Sequence, residues 1–337
     1  LLRGAVTGPH IKCSYSLGYY GEGDPIIADI NGDGLNEIVV TTWSYGGVWA
    51  FRGTDCSLLW SRLFGPYPGA VTPAAGELNP SVSGLEIAVK YSNTATLYVL
   101  RGTDGAILWN RYIGGNMYNM SPPTIFDADS DGVGEVYVVG NNIYALRGTD
   151  GSIIWSYPAA ADSSAYDFGF ASIAIADINN DGQYEVVAVG YSGGSWKVIV
   201  LRATNGAFLW SYTFGYQGNP AIADLDNDGY KEIVVALDNG WLYALRHNGA
   251  LYWSRNMGYG TPGVAWGLMN SPTIADLNGD GWKEIVYGHY MMNSSGCYNQ
   301  YVHVLRGTDG STIWSYSGPC SGYQTHSRKI ADIDNDG

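Results

Sequence analysis

The stretch Asp29-Ile-Asn31-Gly-Asp33-Gly-Leu-Asn-Glu37, followed at once by the β-branched run Ile38-Val-Val40, decides the fold because it recurs along the chain. A fixed period of this length indicates one structural unit that is repeated. The copy at Glu77 is degenerate, and the copy at Asp332 is cut short at Gly337. The seven copies begin 47 to 56 residues apart, at Asp29, Glu77, Asp127, Asp177, Asp224, Asp276 and Asp332.

A second phrase alternates with the first and ends in tryptophan. In Val99-Leu-Arg-Gly-Thr-Asp-Gly105 a turn sequence leads into Ile107-Leu-Trp109, which predicts a tight hairpin. Near the start of the chain Cys13 stands in the tryptophan position. The two phrases keep the same register and therefore describe one repeated unit. The same hairpin ends at Trp60, Trp155, Trp210, Trp253 and Trp314.

Each unit contains four short strand patterns: one before the Asp-rich loop, one after it, one leading into Leu-Arg-Gly, and one ending near tryptophan. No segment has a sustained 3.6-residue period, so helices should be few. Four-stranded units of this length are typical of propeller blades, whereas β-solenoid repeats, the alternative, are usually shorter. We predict an all-β, seven-bladed β-propeller of four-stranded antiparallel blades, forming a single domain over residues 1–337.

One predicted blade is incomplete, because it is split between residues 1–16 and 322–337. By comparison with the other repeats, about 15 residues between these two parts are absent. Either the sequence is a fragment of a longer chain, such as an array of propellers, or a neighbouring copy supplies the missing strands. Both alternatives predict a multi-copy assembly.

The Asp-rich loop has the ligand pattern of a calcium site. Aspartate or asparagine at loop positions 1, 3 and 5 converges only if the loop curls tightly, and glycine at position 6 permits that curl. The residue at position 7 would give its backbone carbonyl, and glutamate at position 9 would close the shell. Oxygen-only ligands favour Ca²⁺ over zinc or copper. An EF-hand fits poorly, because its closing glutamate is at position 12 and helices flank its loop.

A metal-free Asp/Asn/Gly turn is the alternative for any single loop, but five intact copies with the same ligand positions argue against it. Five or six bound Ca²⁺ ions would nearly cancel the net charge of −14. The degenerate copy offers Glu77, Asn79 and Ser81, with Glu86 displaced by one residue, and we expect it to bind no metal. The predicted ligands are Asp29, Asn31, Asp33, Leu35, Glu37; Asp127, Asp129, Asp131, Val133, Glu135; Asp177, Asn179, Asp181, Gln183, Glu185; Asp224, Asp226, Asp228, Tyr230, Glu232; Asp276, Asn278, Asp280, Trp282, Glu284; and Asp332, Asp334, Asp336.

Several classes of function are disfavoured by composition and spacing. The net charge of −14 argues against a nucleic-acid partner, and no apolar run approaches the roughly 20 residues that span a membrane. The five histidines have no HxxxH or HExxH spacing, and no GxSxG elbow occurs. The four cysteines show no CxxC spacing. Cys297 and Cys320 flank one predicted hairpin and are a candidate disulfide in an oxidising compartment, with free thiols as the alternative.

The two phrases resemble two known repeat families over the whole chain. Ala223-Asp-Leu-Asp-Asn-Asp-Gly-Tyr-Lys-Glu-Ile-Val-Val235 is similar to FG-GAP/VCBS-type repeats of calcium-binding propellers, such as the integrin α-subunit head and many microbial surface proteins. Tyr144-Ala-Leu-Arg-Gly-Thr-Asp-Gly-Ser-Ile-Ile-Trp155 is similar to the quinoprotein-like (PQQ-like) propeller repeat. The first resemblance implies Ca²⁺ on one face of the ring, and the second implies a structural tryptophan between blades. No set of quinone-holding residues is evident, so we expect no quinone cofactor.

Aromatic residues are frequent in the connections on the face opposite the loops, where they would stack on sugars, pack against a protein or fill the channel. The longest insertion, 288–300, carries a sequon at Asn293, and a weaker sequon occurs at Asn119. The aromatic residues are Tyr19, Tyr20, Tyr67, Tyr118, Tyr166, Phe168, Phe170, Tyr216, Tyr259, Trp266 and Tyr323 between blades, and Trp43, Tyr45, Tyr91, Tyr191, Trp196 and Tyr290 within blades.

Together these features predict a non-enzymatic, Ca²⁺-stabilised module of an extracellular or cell-surface protein that serves adhesion or structural assembly. The expected partners are other copies of the chain or neighbouring propeller domains, with glycans as a further candidate. The alternative is a carbohydrate-binding or polysaccharide-lyase-like propeller.

Overall fold

A computed structural model describes residues 14–17, 23–42, 46–65, 69, 71–115, 121–158, 172–216, 218–237, 239–258, 271–292 and 298–321. These ranges contain 24 β-strands and one short 3₁₀ turn, Ser92–Thr94. The strands form six four-stranded antiparallel sheets, which we call blades 1 to 6 in chain order. The prediction of an all-β fold of four-stranded antiparallel blades is confirmed.

The strand bounds follow the repeat. Blade 1 contains β1 (Ile26–Ala28), β2 (Glu37–Thr42), β3 (Gly47–Arg52) and β4 (Leu58–Leu63). Blade 2 contains β5 (Ala74–Gly76), β6 (Glu86–Tyr91), β7 (Thr96–Arg101) and β8 (Ile107–Tyr112). Blade 3 contains β9 (Thr124–Phe126), β10 (Glu135–Val139), β11 (Ile143–Arg147) and β12 (Ile153–Tyr157). Blade 4 contains β13 (Ile173–Ala176), β14 (Glu185–Ser192), β15 (Ser195–Arg202) and β16 (Phe208–Thr213). Blade 5 contains β17 (Gly218–Ala223), β18 (Glu232–Leu237), β19 (Trp241–Leu245) and β20 (Leu251–Asn256). Blade 6 contains β21 (Thr273–Ala275), β22 (Glu284–Met292), β23 (Tyr298–Arg306) and β24 (Thr312–Ser321).

Each blade is a simple meander, in which consecutive strands are hydrogen-bonded neighbours. The Asp-rich loop joins the first strand to the second, and the Thr-Asp-Gly or related turn joins the third to the fourth. The second strands are continuous β-branched runs because a blade is covered on both faces. In β18, Ile233, Val234 and Val235 are all fully buried.

The core lies between the blades. Five clusters of buried apolar residues each combine side chains from two successive blades, from blades 1 and 2 to blades 5 and 6. The first strands also contact one another in chain order. Sheets that pack face to face around their first strands form a propeller.

The tryptophan at the end of each hairpin joins its blade to the next. Trp109 Nε1 donates to the carbonyl oxygen of Gly148 in blade 3 at 2.6 Å. Its ring lies on Gly151, whose φ is +69° and whose position leaves no room for a Cβ. The inter-blade position that the resemblance implied for this residue is therefore confirmed. Equivalent bonds are made by Trp60 to Gly102, Trp155 to Ala203, Trp210 to His247 and Trp253 to Gly307.

Blade 1 departs from this arrangement at the turn. Cys56 occupies the place of the turn glycine, has a φ of +58° and is disulfide-bonded.

Several predictions fall on residues that the structure does not describe. Of the candidate disulfide, residue 297 and the side chain at position 320 lie outside the described residues, as do residues 1–13 and 322–337. The seventh blade, its split between the chain ends and the single-domain boundary therefore stay predictions. Within the described ranges, no helix has the length and apolar character needed to span a bilayer.

Candidate metal centres

The Asp-rich loops are shaped by their own side chains. In the loop 276–284, the Gly281 N–H donates to Asp276 Oδ2 at 2.8 Å, and the Trp282 N–H donates to Asp280 Oδ1 at 2.8 Å. Gly281 has a φ of +88°, which glycine adopts without steric cost. The same two bonds occur in the loops beginning at Asp29, Asp127, Asp177 and Asp224, at 2.8 to 3.0 Å. These bonds curl each loop around its first aspartate.

The glutamate at position 9 closes each loop from the buried side. It is the first residue of the second strand, and its Oε2 accepts the N–H of the second loop residue at 2.9 to 3.2 Å. Burial raises the pKa of four of these carboxyls, with a further rise from the neighbouring loop aspartates: those of Glu37, Glu135, Glu185 and Glu232, of which the pKa of Glu232 reaches about 7. A buried carboxylate beside other acids is stabilised by a cation.

In two loops the carboxylates meet closely enough to hold one ion. Asp127, Asp129 and Glu135 each offer an oxygen within 4.8 Å of the others, and so do Asp224, Asp226 and Glu232. Among the five intact loops, these are the two with aspartate at position 3. The other three carry an amide there, at Asn31, Asn179 and Asn278.

The loop 224–232 also shows that its oxygens suit a metal ion. Asp224 Oδ1, Asp226 Oδ1 and Glu232 Oε1 are buried and accept no hydrogen bond from the described part of the chain, although Glu232 Oε1 has an ion-pair contact with Arg246 at 3.6 Å. Buried acceptors are normally satisfied, so three such oxygens in one loop fit a coordinated cation. Because the donor set is oxygen only, a hard divalent ion such as Ca²⁺ suits it best.

The structure describes the predicted ligands at position 7 of each intact loop but not those of the last copy of the loop. The side chains at position 7 point outward, and Leu35, Tyr230 and Trp282 are 54%, 40% and 44% exposed, so only their carbonyls remain as candidate ligands. Asp332, Asp334 and Asp336 lie outside the described residues.

The loop glutamate has two roles, as acceptor for the loop backbone and as candidate metal ligand, and the degenerate loop of blade 2 shows the first role without the intact set of ligands. Glu86 Oε2 accepts the N–H groups of Leu78 and Asn79, at 2.8 and 3.0 Å, although Ser81 and Asn79 bond to each other. Glu86 therefore ties down the loop backbone as the other glutamates do. That this loop binds no metal stays a prediction.

Two arginines that the repeat pattern did not single out contact the loops. Arg202 donates to both carboxylate oxygens of Asp181, at 3.2 and 3.0 Å, and makes a further short contact with Glu185. Arg246 lies 3.2 Å from Asp226, 3.5 Å from Asp228 and 3.6 Å from Glu232. A signal was available in the sequence, because the arginine of each Leu-Arg phrase falls opposite the loop glutamate once the hairpin register is set.

Two histidines that the sequence leaves far apart come together in blade 6. The rings of His289 and His303 stack with centroids 5.0 Å apart and an interplanar angle of 11°, and Tyr301 stacks on His289. His303 Nδ1 is 2.7 Å from Ser315 Oγ. Burial, with a smaller effect of His303, lowers the pKa of His289 to about 3. A neutral, buried imidazole among aromatic rings belongs to the packing of the blade.

A lysine is buried between blades 2 and 3. Lys90 is fully buried, and its Nζ donates to the carbonyl oxygen of Val139 at 3.1 Å. Burial lowers the pKa of Lys90 from 10.5 to about 7. The equivalent residue in every other blade is uncharged, so a lysine at this buried position is an exception within the repeat.

The predicted aromatic face is only partly described. Tyr91 and Trp196 are buried, at 2% and 7% exposure, and therefore cover the blades rather than project from them. Tyr216 is 46% exposed. Most of the other aromatic residues in these connections lie outside the described ranges.

Comparison with protein families supports the repeat assignment. Residues 177–235 and 224–287 match the model of the FG-GAP-like repeat. These matches contain the loops of blades 4, 5 and 6. None of the curated protein sequences matches the chain.

Solved structures of similar fold include propeller proteins. The Vibrio cholerae biofilm matrix protein Bap1 is 17% identical with a TM-score of 0.54, over 89% of this chain and 61% of Bap1. A europium-containing methanol dehydrogenase is 12% identical with a TM-score of 0.62, over 91% of this chain and 73% of the enzyme. The quinohemoprotein alcohol dehydrogenase of Comamonas testosteroni is 12% identical with a TM-score of 0.55, over 90% of this chain and 60% of the enzyme. At these identities the likeness shows the propeller fold, which the quinoprotein-like hairpins predicted.

Proposed function

We propose that this propeller with FG-GAP-like repeats is a non-enzymatic, calcium-stabilised module of an extracellular or cell-surface protein, and that it serves adhesion or structural assembly. The observation that carries the proposal is the repeated loop, which in blades 3 and 5 brings two aspartates and a buried glutamate within 4.8 Å of one another. In the loop 224–232, three of these oxygens are buried and accept no hydrogen bond from the described residues.

Calcium is the ion that best fits these loops and the charge of the chain. Five ions, one for each intact loop, would contribute ten positive charges against the net charge of −14. Oxygen-ligated modules of extracellular proteins bind calcium at about 10⁻⁴ to 10⁻³ M, a range that suits a permanently loaded structural ion outside the cell.

The hydrogen bonds that the acidic loop residues accept from the backbone support a structural role for the loops. The loop aspartates accept backbone N–H groups within their own loops, and the glutamates accept the N–H of the second loop residue. The acids thus hold one edge of each blade in shape. The biofilm matrix protein with a similar fold is consistent with a surface location, although this chain spans only 61% of that protein.

Thermal unfolding with and without a chelator tests the proposal. At about 10 mM Ca²⁺, which is roughly 10 to 100 times a Kd of about 10⁻⁴ to 10⁻³ M, each bound ion contributes about 1.4 to 2.7 kcal/mol to the free energy of unfolding. With several sites we expect chelation to lower the Tm by on the order of 10 °C or more. Ca²⁺ should restore the Tm, whereas an equal concentration of Mg²⁺ should not, because Mg²⁺ requires a tighter octahedral shell. A melting curve unaffected by excess chelator would contradict the proposal.

Assembly requires a separate experiment on the full-length protein. We expect calcium-dependent association of copies in sedimentation velocity, with other copies of the chain or neighbouring propeller domains as partners. Specific binding on a glycan array, or depolymerisation of an acidic polysaccharide, would instead establish a carbohydrate-directed function.

A further inference from the structure

Every described blade has an arginine at the end of its third strand, beside its Asp-rich loop. The arginine lies directly opposite the loop glutamate in the antiparallel register. From this position a guanidinium can reach either the loop or the turn between the third and fourth strands. The register pairs are Glu37 with Arg52, Glu86 with Arg101, Glu135 with Arg147, Glu185 with Arg202, and Glu284 with Arg306. In blade 5, Arg246 follows Leu245, the register partner of Ile233.

In three blades the arginine side chain turns away from the loop and binds the turn. Arg101 forms two hydrogen bonds with Asp104, at 2.9 and 2.7 Å. Arg52 Nη1 donates to Ser57 Oγ at 3.2 Å, and Arg306 Nη1 donates to Ser311 Oγ at 3.0 Å. In blade 3, where the turn has the Thr-Asp-Gly sequence of blades 2 and 6, Arg147 is exposed and forms no ion pair with the described loop acids.

In blades 4 and 5 the arginine enters the loop instead. Arg202 binds Asp181 and Glu185. Arg246 lies within 3.6 Å of Asp226, Asp228 and Glu232, and its guanidinium is stacked 4.2 Å above the ring of Tyr252. Both arginines therefore contact oxygens that the loop offers to a metal ion.

The sequence of the turn distinguishes the two groups of blades. The turn acid is Asp55, Asp104, Asp150 or Asp309 in blades 1, 2, 3 and 6, whereas blades 4 and 5 carry Asn205 and Asn248. Two residues later, blades 4 and 5 have alanine, at Ala207 and Ala250, so that the serine acceptor of blades 1, 3 and 6 is also missing.

The aspartate and the asparagine perform the same backbone task in the turn. Asp104 Oδ1 accepts the Ala106 N–H at 3.0 Å, and Asn205 Oδ1 accepts the Ala207 N–H at 2.9 Å. The turns of blades 2 and 4 therefore differ in charge and not in shape. The turn of blade 5 is one residue shorter, but Asn248 Oδ1 accepts the Ala250 N–H at 3.1 Å in the same way. Without a turn carboxylate, the nearest anions for Arg202 are those of its own loop.

We propose that Asn205 and Asn248 direct Arg202 and Arg246 into their loops and thereby make the calcium sites of blades 4 and 5 weaker than those of blades 1, 3 and 6. The inference rests on the proposed calcium binding. A guanidinium and a calcium ion share the same carboxylates, so the ion must displace a charge-assisted pair before it is fully coordinated. The difference in Kd should be about tenfold or more. As the calcium concentration falls, blades 4 and 5 would release their ions first. The guanidinium of Arg202 or Arg246 would still neutralise part of the negative charge of the loop.

Calorimetric titration of the chelator-treated, dialysed protein with Ca²⁺ tests this inference. For the wild-type chain we expect a tight class that contains the sites of blades 1, 3 and 6 and a weak class that contains those of blades 4 and 5. The double variant Asn205→Asp/Asn248→Asp restores a turn carboxylate while keeping the turn hydrogen bond. It should lower the Kd of the weak class about tenfold and merge it with the tight class.

The reverse exchange and a matched control complete the design. Asp309→Asn with Ser311→Ala gives blade 6 the Asn-Gly-Ala sequence that blades 4 and 5 have in their turns, and it should move one site from the tight to the weak class. Asp104→Asn makes the same charge change beside the degenerate loop of blade 2 and should leave the calcium isotherm unchanged.

The outcomes separate this inference from the proposal on which it rests. Five equivalent sites, or two classes that the asparagine-to-aspartate exchange leaves unchanged, would overturn the arginine inference while calcium binding stands. A titration without any calcium binding would overturn the proposed function itself. Circular dichroism of each variant with saturating calcium should match the wild-type spectrum, which verifies that a changed isotherm comes from the loops.

Discussion

The contact between a tryptophan and the turn glycine of the next blade allows a quantitative prediction for Gly151→Ala. Gly151 ends the turn between β11 and β12 with a φ of +69°. An added Cβ would lie 2.5 Å from Cε3 and 2.7 Å from Cζ3 of Trp109. The ring has little freedom to move, because it is buried and its N–H is fixed to Gly148 at 2.6 Å.

Two costs add up in this variant. An L-residue in the left-handed region costs about 1 to 2 kcal/mol. Overpacking against a fixed buried ring costs about 1 to 3 kcal/mol more. The free energy of unfolding should therefore fall by about 2 to 5 kcal/mol. Gly194→Ala is the matched control, because Gly194 has a φ of +83° and no atom within 4 Å of the added Cβ, so that only the first cost applies.

Urea unfolding at saturating calcium measures both variants. With an unchanged m-value, the shift in the midpoint gives the loss of stability. We expect Gly151→Ala to lose at least about 1 kcal/mol more than Gly194→Ala. Equal losses in the two variants would refute the claim that the tryptophan closes rigidly on the turn.

Three further predictions concern the buried lysine, the two kinds of loop glutamate and the disulfide. Because the unfolded chain keeps the Lys90 proton up to a pKa of 10.5 while the folded chain releases it at about 7, stability should rise with pH between these values. The slope should be at most about 1.4 kcal/mol per pH unit, and Lys90→Met should remove it in denaturant titrations at several pH values. Glu135→Gln should abolish one calcium site in calorimetry, whereas Glu86→Gln, in the degenerate loop, should leave the number of sites unchanged. Cys13 stands in the tryptophan position and Cys56 in the glycine position of the repeat, so non-reducing peptide mapping should find these two cysteines linked, and a different partner for Cys56 would contradict this expectation.

If calcium affinity differs between blades as we infer, the propeller has graded rather than uniform calcium dependence. Blades 4 and 5 are adjacent, and their shared core contains Ile178 from one loop beside Val235 of the next blade. Loss of calcium from these two loops would therefore act on one sector of the ring.

The sequence alone determined the repeated parts of the protein. The strands, the Asp-rich loops and the tryptophan hairpins were predicted because each depends on residues close together in the chain. Gly281 permits the curl of its own loop, and Asp276 accepts an N–H only five residues away. Repetition strengthened these local signals, since the same spacing returns in every intact copy.

The tertiary structure decided which charged groups meet, because those contacts depend on neighbours that are distant in sequence or on the charge of a nearby turn. Arg202 and Arg306 occupy equivalent places in the repeat, yet one binds its loop and the other binds its turn. Lys90 is buried because blade 3 packs over it, and its carbonyl partner is 49 residues away. A repeat pattern specifies the backbone of such positions. The partner of a long side chain is chosen by the charges around it, which are brought together only when the loop, the turn and, for Lys90, the next blade have folded beside it.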